Sequence, residues 1–429
     1  VFARDNTNDG KGWNTRLHHC VALADHGYPR RYKNFPNEHI QPLADYGGGS
    51  GTGAYWLDEP GFPDTFNGKL YTCDFTTRKV YVHGLEPQEA TFRATQSVFY
   101  DIQAIDMDCD AVSRIYVSDW AGGGYRFEKD AVGSISLITF PGLPAHKFQD
   151  LRETGLADLL KLLTGPSAVT RINAQHEILR RGPGLSVSAG LNRFIKDRSA
   201  SLPGRIAAIF TLKQLPAESV NADLLDAAED PAVREWCLRA VTDRLPQLKN
   251  VPPRRFVAGL KDADARVRLQ AAISLARLGH RQAAPDLLRL APDPDAGYST
   301  EKDPVRKYAA NQVIPHVAIN AVADLGAVTE CLAALPDPEL RQPALRALLL
   351  MHTAETVTGL IAELRSVPAG ETDYKIDLLK TLFRLYHREK PWAGKQWWTT
   401  RPDDRGPYFE PIEWPQTSRI KSAIERGVN

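Results

Sequence analysis

Two hydrophobic periods divide this chain. From residue 1 to about 142, apolar positions come in short runs of β-branched or aromatic residues, GKLYTCD, KVYVHGL, RIYVSDW and GSISLITF, each bounded by Gly, Asp or Pro. Such runs predict strands joined by tight turns. Over 146–388 the runs lengthen, Ala and Leu dominate, and apolar residues recur at i, i+3, i+4 and i+7, as in RLQAAISLARLG at 268–279. That pattern predicts amphipathic helices. Residues 389–429, with Trp392, Trp397, Trp398 and Trp414 among prolines, follow neither period.

The helical stretch repeats. An Arg opens the second helix of each unit at Arg171, Arg205, Arg234, Arg268, Arg306 and Arg341, at intervals of 34, 29, 34, 38 and 35 residues. One helix pair per interval is the spacing of a solenoid whose units cover each other's apolar faces. In DPAVREWCLRAV, DPVRKYAANQVI and DPELRQPALRAL, Asp230, Asp303 and Asp337 are placed to cap a helix. Pro231, Pro304 and Pro338 then fall where no N–H is needed. Asp264 takes the same part before Ala265, and the Arg that follows each cap is placed to reach a carboxylate of the neighbouring unit. The period matches tetratricopeptide repeats, but their Trp, Leu-Gly and Tyr positions are missing. The Asp-x-x-Val-Arg pattern instead resembles HEAT-like repeats of the short bacterial type, in six units, with a face open to a protein partner.

Composition narrows the classes. A chain of 429 residues with 43% hydrophobic and 24% charged positions has a globular profile and the length for two or three domains. Lys and Arg number 53 against 52 Asp and Glu, so no global field favours nucleic acid or an anionic membrane. The five cysteines, Cys20, Cys73, Cys109, Cys237 and Cys331, form no CxxC pair and no CxxCH haem string. No apolar run approaches the roughly 20 residues of a membrane span. The opening VFARDNTNDG has neither initiator Met nor signal region, and reads as part of a longer chain with its targeting signal upstream.

Four segments carry a more specific likeness: DNTNDGKGWNTRLHHCVALADHGYPR at 5–30, ADYGGGSGTGAYWLDEPGFP at 44–63, KLYTCDFTTRKVYVHGL at 69–85 and IDMDCDAVSRIYVSDWAGGGYRF at 105–127. In this order they resemble the last blades of a glucose/sorbosone-dehydrogenase-like β-propeller. With helical repeats behind them, the chain is similar to the membrane-bound dehydrogenase family of planctomycetes and their relatives, which usually ends in a c-type cytochrome module. The resemblance implies a β + α multidomain chain. Residues 1–142 would be about three C-terminal blades of a partial β-propeller, 146–388 an α-solenoid of HEAT-like repeats, and 389–429 a Trp/Pro-rich crossing segment. It implies an extracytoplasmic, periplasmic or membrane-associated setting, and oxidation of a sugar or alcohol by pyrroloquinoline quinone with calcium. A propeller needs four to eight blades of about 40–50 residues. The ring is therefore expected to stay open with an unprotected edge, and the fragment to be inactive alone. The competing reading is a carbohydrate- or protein-binding scaffold without chemistry, since fold does not fix function.

The candidate residues follow. Asp5, Thr7 and Asp9 before Gly10 alternate oxygen ligands, but Arg16 stands where an EF-hand needs its Glu. A metal site would use Asp5, Asn6 and Asp9, and the alternative is a loop of Asx turns. By the resemblance, Arg16 and His19, ahead of Gly27 and Tyr28, would lie on a strand entering a central channel. There Arg16 would grip a quinone or carboxylate oxygen and His19 would accept a hydroxyl proton; the alternative is a pair of half-buried strand histidines, His18 and His19. The glycine run at 47–53 has no following Lys and no helix, which excludes phosphate-loop and dinucleotide readings. The resemblance sets Gly49, Ser50 and Thr52 against a cofactor, and the alternative is a tight crossing between sheets. Asp106, Asp108 and Asp110 read as a turn ahead of RIYVSDW. Trp236, Tyr308 and Phe383 read as helical core, and Cys237 and Cys331 as small buried hydrophobes.

Overall fold

The computed structural model describes residues 1–5, 14–27, 35, 38–120, 133–140, 142, 149–215, 220–292, 312–391 and 409–428. Within the first third, β1 (Phe2–Arg4), β2 (Arg16–His19) and β3 (Ala44–Asp45) form one antiparallel sheet in that order. A second holds β4 (Gly51–Leu57), β5 (Lys69–Asp74), β6 (Lys79–Gln88) and β7 (Thr91–Tyr100) in sequence order. A third has β9 (Ile115–Asp119) between β8 (Ala104–Cys109) and β10 (Ser134–Ile138). Leu57, Tyr71, Cys73, Val80, Met107, Ile115 and Val117 form a core shared by the second and third sheets. A Cβ at Gly53 would sit 2.7 Å from the Asp106 Cα, so glycine is what lets β4 run this close to β8.

The three sheets do not close into a ring among the described residues. The expectation of a partial propeller is corrected to this coarser architecture: antiparallel sheets followed by helices. Three sheets are too few to close on themselves. They cover apolar surface against the helical part instead: Ile40 and Ala90 belong to the helical core, and Val21, Ala22, Leu23 and Ala24 pack against it.

The helices come in hairpins. They are α1 (Leu156–Leu163) with α2 (Ala168–Arg181), α3 (Leu185–Lys196) with α4 (Leu202–Gln214), and α5 (Val220–Ala227) with α6 (Arg234–Thr242). Next are α7 (Arg254–Gly259) with α8 (Ala265–Arg277), α9 (Ala284–Leu288) with α10 (Val313–Asp324), and α11 (Val328–Ala334) with α12 (Pro338–Leu348). Finally α13 (Ala354–Ser366) pairs with α14 (Thr372–Arg384). Successive second helices meet one another closely along the stack, so the chain has a helical-repeat portion with one continuous core. Its far end is covered by the two-residue strands β11 (Arg388–Glu389) and β12 (Pro411–Ile412) and by α15 (Thr417–Val428), which packs on α13 and α14. The Trp414 indole N–H donates to the Leu385 carbonyl at 2.9 Å. Of the other tail tryptophans, Trp392, Trp397 and Trp398 lie outside the described residues, as do Asp303, Pro304, Arg306 and Tyr308.

The repeat chemistry is visible in the hydrogen bonds. Asp264 and Asp337 cap their helices by accepting from the Arg266 and Glu339 amides at 2.8 and 3.0 Å. Arg205, 4% exposed, donates twice to the Ile195 carbonyl at the end of α3 and once, at 2.6 Å, to Asp230 of the next hairpin. Arg234 repeats the motif with the Ala228 carbonyl and Asp262, at 2.8 and 2.7 Å. Each guanidinium fork thus satisfies helix-end carbonyls and ties one unit to the next.

Candidate functional site

The sheets dock along the row of second helices, and the seam is polar at both ends. At one end the Asp58 carbonyl accepts from the Ala168 amide, the Asp58 carboxylate pairs with Arg171, and Glu59 Oε1 accepts from the Val169 amide at 2.9 Å. Those two amides open α2, where a helix start favours negative charge. In the middle, the Asp25 amide donates to His316 Nε2 at 3.0 Å, and Asn320 donates to the Leu23 carbonyl at 2.7 Å. At the other end, Arg384 of α14 donates in a fork to Glu38 at 2.5 and 2.9 Å, with its guanidinium 4.0 Å from the Phe35 ring centroid. The helical row that repeats of this kind leave open to a partner is therefore occupied, over much of its length, by the chain's own first third.

Between these ties the seam leaves a cavity of about 200 Å³. Phe2, His19, Cys20 and Phe92 line it from the sheets, and Glu235, Trp236, Arg239, Asp243, Arg266 and Arg277 from α6 and α8 with their flanking turn. His19 stacks on Phe2 at 5.4 Å, meets Phe92 edge to face at 5.2 Å, and shares a 3.0 Å hydrogen bond with the Thr91 hydroxyl. Burial, reinforced by the positive charges of Arg266 and Arg239, lowers its pKa to about 3, so the ring is neutral. Asp243 is held by both Arg277, at 2.7 Å, and Arg239, at 3.4 Å.

The two residues assigned to one task from the sequence sit on one strand but face different surroundings. Arg16 is buried and pairs with Asp5, which also accepts from His18 at 3.2 Å; His19 faces the seam cavity. Burial raises the Asp5 carboxyl pKa, but the bonds from His18 and Arg16 outweigh it and hold the group below its ordinary value. Of the residues proposed for a metal, Asn6 and Asp9 lie outside the described residues. No group of three or more His, Cys, Asp or Glu able to hold a metal ion occurs among the described residues. Gly49, Ser50 and Thr52 are taken up internally. A Cβ at Gly49 would lie 2.5 Å from Asp74 Oδ2, the Ser50 amide donates to Asp74, and the Thr52 hydroxyl donates to the Ala104 carbonyl. With their space and polar groups spent inside the sheets, these residues do not fit a quinone site. Asp110 organises the β8–β9 turn, accepting from the Val112 and Arg114 amides.

Sequence reading passed over a buried polar chain in the sheets. Arg4 pairs with Asp74 at 2.7 Å and donates to Thr72; Thr72 bonds His83 Nε2 at 2.8 Å, and His83 Nδ1 meets the Tyr46 hydroxyl at 3.1 Å. It also passed over Phe2, Phe92, Glu235 and Arg266. No spacing rule links a strand near the start of the chain to α6 and α8, and the only local signal was Trp236, half-exposed in a helix otherwise built for core packing.

No family model matches the chain, and no curated protein matches it. Solved structures similar to part of it include YibA from E. coli, 17% identical with a TM-score of 0.32, spanning 67% of this chain and 99% of that one. The CpcE–CpcF complex of phycocyanin lyase from Nostoc sp. is 15% identical with a TM-score of 0.27, over 67% and 99%. Both are helical-repeat proteins, at TM-scores that carry no argument about this chain. The described strands form separate antiparallel sheets and no family model matches, so the likeness to a glucose/sorbosone-dehydrogenase-like propeller is corrected, and the oxidoreductase reading falls with it. No helix among the described residues is long and apolar enough to cross a membrane.

Proposed function

We propose that this chain is a binding scaffold: the helical row clamps the sheets in one pose, and the cleft at their seam takes up a small ligand or a partner's side chain without chemical turnover. One observation carries this reading. The cleft has one wall from β1, β2 and β7 and the other from α6 and α8, so it exists only while the two portions are docked. Concave sites at such junctions are where ligands are ordinarily held. The imidazoles in and near the sheets have structural partners: His19 with Thr91, and His83 with Thr72 and Tyr46.

Cys20 offers a direct test. It lines the cleft and is half-buried, whereas Cys73, Cys109, Cys237 and Cys331 are buried. A small alkylating reagent applied to the native protein should therefore modify Cys20 alone, more slowly than in the unfolded chain, and a ligand in the cleft should slow it further. Native Cys20 reacting at the unfolded rate would show that the seam does not hold, and would refute the reading.

A further inference from the structure

On the helical wall of the cleft, two charged side chains are left without an ion pair. Asp243 is engaged by Arg239 and Arg277 together. Arg266 reaches from α8 across the Phe92 ring, its guanidinium carbon 4.6 Å from the centroid, and its Nη2 is buried with no hydrogen-bond partner among the described residues. A buried donor left without an acceptor is costly, and more so when it is charged. Glu235, on α6, lines the same cleft and forms no hydrogen bond or ion pair among the described residues. Burial pushes its carboxyl up from the ordinary range while Arg266 pulls it down, so the two groups sense each other without pairing. Both line one cleft, which therefore offers a cation and a carboxyl to a bound molecule. Phe2, Phe92 and Trp236 supply aromatic walls, together with the neutral His19 ring stacked on Phe2. A cavity of about 200 Å³ holds roughly seven waters' worth of liquid, below the span of a drug-sized pocket.

We propose that the cleft binds a small aromatic acid with a hydrogen-bond donor beside its carboxylate, an aromatic α-amino or α-hydroxy acid. The carboxylate meets the Arg266 guanidinium where it lines the cleft, the ammonium or hydroxyl meets Glu235, and the ring lies among Phe2, Phe92 and Trp236. This rests on the binding reading of the cleft. A guanidinium matches a carboxylate in shape and charge, and aromatic walls prefer an aromatic guest in edge or offset contact.

Four probes dissect the chemistry on the unmodified chain by calorimetric titration: L-phenylalanine, 3-phenyllactate, 3-phenylpropionate and phenethylamine. At least one of the first two should bind and protect Cys20 from alkylation. Loss of the donor in 3-phenylpropionate should weaken binding tenfold or more, and loss of the carboxylate in phenethylamine should weaken it at least as much. Arg266→Gln should erase the preference for the acids. Glu235→Gln should weaken phenylalanine, whose ammonium loses its counter-charge, more than phenyllactate, and an equal loss for 3-phenylpropionate, which has no donor, would overturn the part given to Glu235. Equal binding of all four probes, or none of them binding while Cys20 stays shielded in the native protein, would overturn this inference and leave the scaffold reading standing. Cys20 reacting at the unfolded rate would remove both.

Discussion

Replacing Asp58 by Asn isolates the seam from the repeats. Arg171 keeps its two 2.8 Å bonds to the Gly165 and Pro166 carbonyls, and the Asp58 backbone still accepts from Ala168; only the charge pairing across the seam is lost. The two side chains are 11% and 26% exposed, so the pair is screened but not fully solvated. At an effective dielectric of about 20, two unit charges about 3 Å apart attract by roughly 5 kcal/mol. Desolvation of both groups cancels much of that, leaving about 2 kcal/mol. If the sheets open from α2 as a unit, this amounts to roughly 30-fold faster hydrogen exchange at the Ala168 and Val169 amides, whose acceptors are Asp58 and Glu59. The Arg239–Val241 amides, inside the helical core, should exchange as before. Less than about threefold acceleration at Ala168 and Val169 would mean that Arg171 is only an intra-repeat staple and that the Asp58 charge does not help to hold the sheets.

Two further outcomes test other parts of the structure. His83 is fully buried, and burial with the Arg4 charge lowers its pKa from 6.5 to about 3. Its contribution is complete above pH 6.5 and declines as pH falls towards 3, because the unfolded chain takes up a proton that the folded form refuses. Between pH 7 and 5 the stability gap between the parent chain and His83→Asn should shrink by about 2 kcal/mol, read from exchange of the Cys73 and Val82 amides. Arg205→Met removes both bonds to Ile195 and the tie to Asp230, for a loss of about 3 kcal/mol, and tryptic cutting at exposed Arg198 should accelerate roughly 100-fold. Arg205→Lys should fail to restore it, since an ammonium cannot make the fork, and acceleration below tenfold would contradict the ladder's role.

What was legible along the chain is what local physics decides. The strand runs around Leu70–Asp74 and Ile115–Asp119 alternate or bury as their composition dictates, and Asp264 and Asp337 cap the helices they precede. The Arg at each second helix reaches the carboxylate one unit ahead at Arg205 and Arg234, because a fixed interval places it there. Such features depend on neighbours within one turn or one repeat, where periodicity is a faithful guide. The family likeness failed for a related reason. Short Gly- and Asp-bounded strands satisfy any small antiparallel sheet, so the motifs at 44–63 and 105–127 could not show how many sheets there are or whether they close.

The cleft and the seam were settled by folding over long range. His19 meets Phe92, and Phe92 lies beneath Arg266, across separations of 73 and 174 residues that no period spans. Burial then reverses what residue type suggests: His19 becomes a neutral wall rather than a base, while Arg266 and Glu235, unremarkable as letters in a repeat, are left facing a gap. Charge state and unmet hydrogen-bonding capacity are properties of an environment. That environment forms only when sheet and helix exclude water together.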